Sequence, residues 1–268
     1  MGDWSRRCRS KALVREISPR FTDALAHYFG NGPTDLEAAE LAHQQYVAAL
    51  IDHGVEVKSL PGTPDHPDCC FIEDTAVVID GTVVICNMGH PSREGEVEVV
   101  RDALNGHLEV VRMPKGARLD GGDVLFFDDL FLVGRSVRSN AAGVDFLTSV
   151  IHDRGFEAAV IDVPESTLHL STICSSPAPG LIITAEGHLT PEQLAPLEAE
   201  GNEVLWTPNE ESYGANTIGF EGDRVIVSSD YPATSAALEE RGFTLTEVDM
   251  EHIRAGDGSL TCLRLFYA

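Results

Sequence analysis

The sequence is poor in positive charge. Lys and Arg total 19 against 43 Asp and Glu, for a formal net charge of −24, and only three of the 19 are Lys. Such a balance argues against nucleic acid or an anionic membrane surface as partner. It suits a small cationic molecule, and equally a solvated acidic surface that keeps the protein soluble. Long apolar runs are missing as well: no segment approaches the roughly 18 apolar residues of a membrane span. The opening MGDWSRRCRSKALVREI has a basic start without the apolar run of a signal peptide, and Arg6 stands where myristoylation wants Ser or Thr. The six cysteines, at 8, 69, 70, 86, 174 and 262, show neither a CxxC spacing nor the density of a secreted disulfide scaffold. The expected compartment is the cytoplasm. Low-complexity linkers are absent too. With 43% hydrophobic residues over 268 positions, the expectation is one closed domain spanning 1–268.

What the sequence does have is a repeat. A strand-like phrase recurs five times: VEVKSLP at 55–61, LEVVRMP at 108–114, AAVIDVP at 158–164, NEVLWTP at 202–208 and FTLTEVDM at 243–250. The first four end in Pro, which cannot donate to a sheet ladder and so marks where each strand leaves its neighbours. A polar loop follows, then two apolar runs joined by a turn: TAVVIDGTVVIC, DVLFFDDLFLVG, STICSSPAPGLIIT and NTIGFEGDRVIVS. Asp80-Gly81 is a hairpin signal. Ser92 to Leu104, Asn140 to Arg154, Thr190 to Glu200 and Pro232 to Arg241 show apolar residues at helical intervals. Thr190-Pro191-Glu192-Gln193 reads as a capping box with Pro at the first helical position.

Each unit is therefore loop, hairpin, helix, strand, about 40 to 55 residues long, within the range of propeller-like repeats. The fifth is incomplete. Its closing strand is expected from LTCLRLFYA at the C-terminus, paired with the strand Ala12 to Ile17; helical chain is expected at Phe21 to Phe29 and Asp35 to Asp52. Joining first and last strands removes the exposed edges of an open sheet. The predicted architecture is an α/β ring of five ββαβ blades with pseudo-fivefold symmetry.

If the five units are equivalent, the loops ahead of the hairpins share one end of the ring and face its axis. Unit by unit they carry Asp68, Glu73 and Asp74; Asp120 and Asp123; His169; Glu210, Glu211 and Asn216; and Asp257 with Cys262. Each alone has an ordinary explanation. Carboxylates cap loops, His169 between two leucines suits a core position, and a lone Cys262 in an apolar strand suits a small buried hydrophobe. Converging on one cavity, they form a set with chemistry. A thiol becomes a nucleophile when a base or positive charge favours its thiolate. A guanidinium substrate brings that charge, and Asp74 and Asp120 grip its N–H groups through paired hydrogen bonds. His169 can protonate the leaving amine and afterwards draw a proton from water.

FIEDTAVV at 71–78, LDGGDVLF at 119–126, GRSVRSN at 134–140, LHLSTICS at 168–175, EESYGAN at 210–216 and LTCLRL at 260–265 together resemble dimethylarginine dimethylaminohydrolase, of the guanidine-modifying superfamily called penteins. The likeness runs from about Ala12 to the C-terminus. It implies the same five-bladed α/β propeller. It also implies Cys262 as nucleophile, His169 as general acid and base, Asp120 as the carboxylate working with them, and Asp74 on the guanidinium. Arg93 and Arg138 would hold the substrate carboxylate, a task for which a planar fork serves better than Lys; Asp68 and Glu73 would lie near the α-amino group. Leu25 matches a residue of the mobile loop over the site and Gly256 a backbone contact. The implied reaction releases dimethylamine or methylamine from Nω-methylated arginine and gives citrulline through a covalent thiouronium. It needs no metal or organic cofactor, and the partner is a small cationic guanidino amino acid. A homodimer is compatible with these features. The chain departs from the family at Asn87-Met88-Gly89-His90, where Arg-Pro-Gly is usual, and at Cys69-Cys70.

Other readings use part of the same kit. Arginine deiminase shares the residues but carries an inserted helical domain for which this chain has no room, and amidinotransferases are also longer. A zinc protein could use His169 and Cys262, yet four ligands at short spacings are lacking. A noncatalytic, ribosome-binding propeller of the same superfamily would need neither the Cys nor the paired arginines, and an acidic chain suits RNA poorly.

Overall fold

The structure, a computed structural model, describes residues 4–199 and 201–267. The chain opens with β1 (Lys11–Arg15), α1 (Leu36–Asp52) and β2 (Glu56–Leu60). Four units of one design follow. The first holds β3 (Ala76–Ile79), β4 (Thr82–Ile85), α2 (Val97–Leu104) and β5 (Glu109–Arg112); the second β6 (Val124–Phe127), β7 (Leu130–Arg135), α3 (Ala141–Asp153) and β8 (Glu157–Asp162). After a single turn, α4 (Leu170–Ile173), come β9 (Cys174–Ala178), β10 (Leu181–Ala185), α5 (Pro191–Ala199) and β11 (Glu203–Thr207). Then come β12 (Ile218–Phe220), β13 (Arg224–Ser228), α6 (Pro232–Glu239) and β14 (Thr244–Val248), the short α7 (Glu251–Arg254), and β15 (Leu265–Tyr267).

Five three-stranded sheets result. In each, the middle strand runs antiparallel to the first and parallel to the last. The fifth sheet, β15-β1-β2, is built from both ends of the chain: Leu13 faces Leu265 antiparallel on one side and Lys58 parallel on the other. The expected five-bladed α/β propeller, closed by its terminal strands, is the observed fold.

Local chemistry accounts for the repeat. Asp80 (φ 37°) and Gly81 (φ 78°) turn the first hairpin in the left-handed region that such two-residue turns require. Between helix and last strand stands a glycine in every blade, at 54, 106, 155, 201 and 242, with φ between 79° and 92°; only glycine ends a helix this way without a Cβ penalty. The Thr190 and Gln193 pair makes both bonds of the capping box. Apolar side chains gather between neighbouring blades rather than at one centre. Val77, Ile79 and Val84, for example, meet Val133, Leu147 and Ile151. The axis is thereby left to polar groups.

Two expectations are corrected. Phe21 to Phe29 is not helical beyond a 3-10 turn at Phe21–Asp23. The backbone N–H groups of His27, Tyr28, Phe29 and Gly30 donate instead to the Asp257 carboxylate at 2.5 to 3.0 Å, which leaves no helical ladder to make. Cys262 does not lie in a strand. Residues Thr261–Leu263 form a 3-10 turn, fixed by the Thr261 N–H on Asn216 Oδ1, and β15 begins at Leu265. Glu200 of the expected fourth helix, Ala268 of the terminal strand, and residues 1–3 lie outside the described residues. No helix among the described residues is long and apolar enough to cross a membrane.

The inner strands approach one another closely enough to need glycine. A Cβ at Gly219 in β12 would sit 1.5 Å from the Pro177 carbonyl oxygen in β9. Gly219→Ala is expected to destabilise the protein by about 1–3 kcal/mol through overpacking, read as a lower urea midpoint. An unchanged midpoint would mean that the blades part there at no cost.

Candidate active site

Cys262, His169, Asp74, Asp68, Arg93 and Arg138 line one pocket at the end of the axis, with Leu25, Gly256 and Asp257 also in its wall. Four of the five blades each supply a residue from the turn that precedes the first strand. Asp74 lies in the 3-10 turn Ile72–Thr75 ahead of β3, Asp120 directly before the turn Gly121–Asp123 ahead of β6, His169 before α4, and Cys262 in the turn ahead of β15. All four are buried. The pocket's volume is about 20 Å³, roughly one water's worth.

The geometry centres on His169. Its Nε2 is 3.1 Å from Asp120 Oδ2 and its Nδ1 3.6 Å from Asp74 Oδ1. Asp120 also accepts from the Gly89 N–H at 2.6 Å and meets Arg138 at 3.5 Å. Asp74 accepts from the Gly122 N–H at 3.0 Å and from Arg93 at 2.6 Å. Arg93 is shared with Glu96, 2.8 Å away, and with the Phe71 carbonyl. Arg93 is therefore already engaged by two carboxylates, whereas Arg138 has, among the described residues, only the longer carboxylate contact to Asp120.

Electrostatics follows from this packing. Burial drives His169 toward its neutral form, but the charge of Asp74, the hydrogen bond its ring donates to Asp120 and the field of Asp123 more than reverse it, and its pKa is raised to about 9. Burial raises Asp74; the positive charges of His169 and Arg93 outweigh it and hold that carboxyl below its ordinary value. Asp123 is pushed up to about 6, chiefly by burial. The Cys262 thiol stands well above its ordinary value because it is buried and, secondly, because Glu73 and Asp74 oppose a further negative charge. At neutral pH the pair is a protonated imidazole and a protonated thiol.

Not every residue expected at the site faces the pocket. Glu73 turns to the opposite side of the same turn, where it accepts from Thr261 Oγ1 at 2.9 Å, Ser171 Oγ at 3.2 Å and Arg264 at 3.1 Å. Among the other loop groups, Glu210 is exposed and Glu211 caps α6 through the N–H groups of Ala233 and Thr234. Asn216 braces the site from beneath, its amide donating to the Ser171 carbonyl and to Thr261.

Two glycines were not singled out from sequence, although both lie in quoted motifs. A Cβ at Gly122 would come within 2.7 Å of Asp74 Oδ1 and 2.8 Å of His169 Nδ1; one at Gly89 would strike the Arg138 backbone at 2.4 Å. The turn that departs from the family pattern still aims Asp120 and Arg138. Asp74, Asp120 and His169 also offer three ligand atoms within 4.8 Å of one another, a set that could take a metal ion. Those atoms are committed to the His169 proton, Arg93 and Arg138, so a cation would have to displace positive charge already there.

A family model described as N,N dimethylarginine dimethylhydrolase, eukaryotic, matches residues 31–265. A dimethylarginine dimethylaminohydrolase from Streptomyces coelicolor is 33% identical over 257 residues, covering 94% of this chain and 95% of that protein. Among solved structures, a dimethylarginine dimethylaminohydrolase from Pseudomonas aeruginosa, a cysteine-to-serine mutant complexed with citrulline, superposes with a TM-score of 0.88 at 26% identity, over 96% of this chain and 99% of that one. A histidine-to-glycine form of dimethylarginine dimethylaminohydrolase, an adduct with S-methyl-L-thiocitrulline, gives the same TM-score, identity and coverage.

The His169 ring provides a direct check. Its NMR titration is expected near pH 9, and Asp120→Asn, which removes a negative charge from Nε2, should lower it by about one unit or more. Since the folded value exceeds the unfolded one of about 6.5, the charged ring stabilises the fold fully below that pH. This contribution is lost as pH rises through about 9, and Asp120→Asn should flatten the decline in stability. Titration of His169 at or below its ordinary value would remove the electrostatic picture.

Proposed function

The chain belongs to the dimethylarginine dimethylaminohydrolase family, and we propose that it hydrolyses Nω-methylated L-arginine to L-citrulline and dimethylamine or methylamine, with residues 1–268 acting as one catalytic domain. The coarser activity, hydrolysis of a guanidino group, follows from the family; the methylated substrate is the proposal. The observation that carries it is a buried thiol in the wall of the same pocket as an imidazole kept charged by two carboxylates, Asp74 in that wall and Asp120 on the ring's Nε2.

The steps follow from that geometry. The thiol at rest is neutral because it is buried and its neighbours are acidic; a guanidinium brought beside it supplies the positive charge that favours the thiolate, the thiol proton passing to solvent. Asp74 and Asp120 hold the substrate N–H groups, and Arg138 takes the carboxylate end, with Arg93 behind Asp74. The Cys262 sulfur bonds to the guanidinium carbon, and His169 gives its proton to the leaving amine as the C–N bond breaks. The thiouronium is then attacked by water, whose proton returns to His169, and the C–S bond breaks to release citrulline and the thiol. A pocket of about 20 Å³ cannot admit such a substrate as it stands. The segment around Leu25, held by its N–H on Asp68 Oδ1 at 3.0 Å and by Asp257, has to release first.

Asymmetric dimethylarginine, monomethylarginine and arginine are the substrates to compare, with citrulline and the free amine measured. Turnover of the methylated forms is expected, and Cys262→Ser should lower it by at least about a thousandfold while leaving the fold intact. Gly122→Ala, which crowds Asp74 and His169, should cost about tenfold or more in kcat. Citrulline from arginine alone, with ammonia released, would replace this reading with a deiminase one.

A further inference from the structure

A cavity much larger than the one that holds Cys262 lies elsewhere in the molecule. It has a volume of about 410 Å³, within the usual range of small-molecule sites. Residues of β3, β6, β9 and β15, together with Thr217 just ahead of β12, line it, so all five blades contribute and it follows the axis. Glu73, Thr261 and Arg264 form its end toward the Cys262 pocket; the hairpin residue Asp80 and the N-terminal segment Ser5 to Arg9 belong to its other end.

Its walls invert the charge of the protein. Arg6, Arg7, Arg9, Arg154 and Arg264 line it, against the carboxylates of Glu73 and Asp80. Four of the arginines are paired: Arg6 with Asp129 at 2.7 Å, Arg7 with Asp128 at 2.8 Å, Arg154 with Glu109 at 2.8 Å and Arg264 with Glu73 at 3.1 Å. Arg9 has no carboxylate partner among the described residues. Its guanidinium lies 5.6 to 5.8 Å from the ring centres of Trp4, Phe220 and Phe266, and Arg264 approaches the same Phe266 ring at 4.9 Å. Arg7 Nε, Arg9 Nη1 and Arg264 Nε are buried and make no hydrogen bond among the described residues. Burial, and after it the charges of Arg7 and Arg264, depress the Arg9 pKa. Aromatic faces attract a guanidinium but do not neutralise it, and a buried cation without a counter-charge is costly.

We propose that this axial chamber binds a small multivalent oxyanion of the phosphate type, held chiefly by Arg9 and Arg264 with Arg7 beside them. Such a ligand would accept hydrogen bonds from the three unsatisfied nitrogens and supply the missing negative charge. Its plane-matched partners are guanidinium forks, the side chain best suited to oxyanions. The site is separate from guanidine hydrolysis and does not depend on it.

The test titrates inorganic phosphate into the full chain by calorimetry, with chloride and acetate at matched ionic strength. Saturable one-site binding of phosphate is expected. Arg9→Gln should weaken it about tenfold or more, one charge-assisted contact's worth. Arg9→Met, which keeps the stem packed on the rings, should do the same, and circular dichroism identifies whichever variant stays folded. Arg138→Gln, in the other pocket, should leave the affinity unchanged. Binding no stronger than that of chloride, equal affinity in a folded Arg9 variant, or loss of binding in Arg138→Gln would overturn the proposal; the last would place the anion beside Cys262.

Discussion

A chain of buried charges in alternating sign holds the pocket together. Arg93, Asp74, His169, Asp120 and Arg138 follow one another at 2.6, 3.6, 3.1 and 3.5 Å. Taken singly, each would pay several kcal/mol to leave water. Together each is the solvent of the next, and backbone N–H groups of Gly89 and Gly122 complete the two carboxylates. The series also fixes protonation: with carboxylates on both ring nitrogens, His169 keeps its proton to about pH 9. A proton held so firmly in the resting site is available to a leaving group, and a ring so placed regains it once it has been given up.

That series exists only because the ring closes. Asp74, Asp120 and His169 stand at the entrances of three successive blades, while Cys262 belongs to the sheet assembled from both chain ends. The Leu13–Leu265 register sets the turn three residues earlier in the sequence, where the sulfur sits. Asn216, from the blade before, ties that turn to Ser171 across the axis. The thiol position thus rests on backbone pairing and amide hydrogen bonds rather than on a local preference of the sequence around it.

The blade pattern was legible because it has physical period. Pro at strand ends, hairpin turns and helical spacing recur, and the five glycines at 54, 106, 155, 201 and 242 mark the same junction each time. The loops were less so. Phe21 to Phe29 carries apolar residues at helical intervals, yet Asp257, more than 220 residues on, claims its N–H groups; no local pattern encodes a partner that remote. Similarly, EES at 210–212 looks as acidic as FIED, but Glu211 is spent on the N-terminus of α6. For Arg93 and Glu73 the sequence supplies charge and approximate place. Which side of a turn each faces is decided by packing.

That choice of side sorts charge through the whole molecule. Adjacent residues of one turn, Glu73 and Asp74, face different chambers, as do Thr261 and Cys262. Glu73 is thereby removed from the substrate side and becomes the counter-charge of Arg264, while Thr261 Oγ1 donates to its other oxygen. The partition between the two chambers is consequently a hydrogen-bonded plate. On its front stand the carboxylates suited to a cation; behind it stand guanidiniums suited to an anion. Glu73 adds to the field that keeps the Cys262 thiol protonated, and Arg264 tempers Glu73. The reactivity of the sulfur therefore depends on charges in both chambers, because an acidic partition with no cations behind it would oppose the thiolate more strongly still.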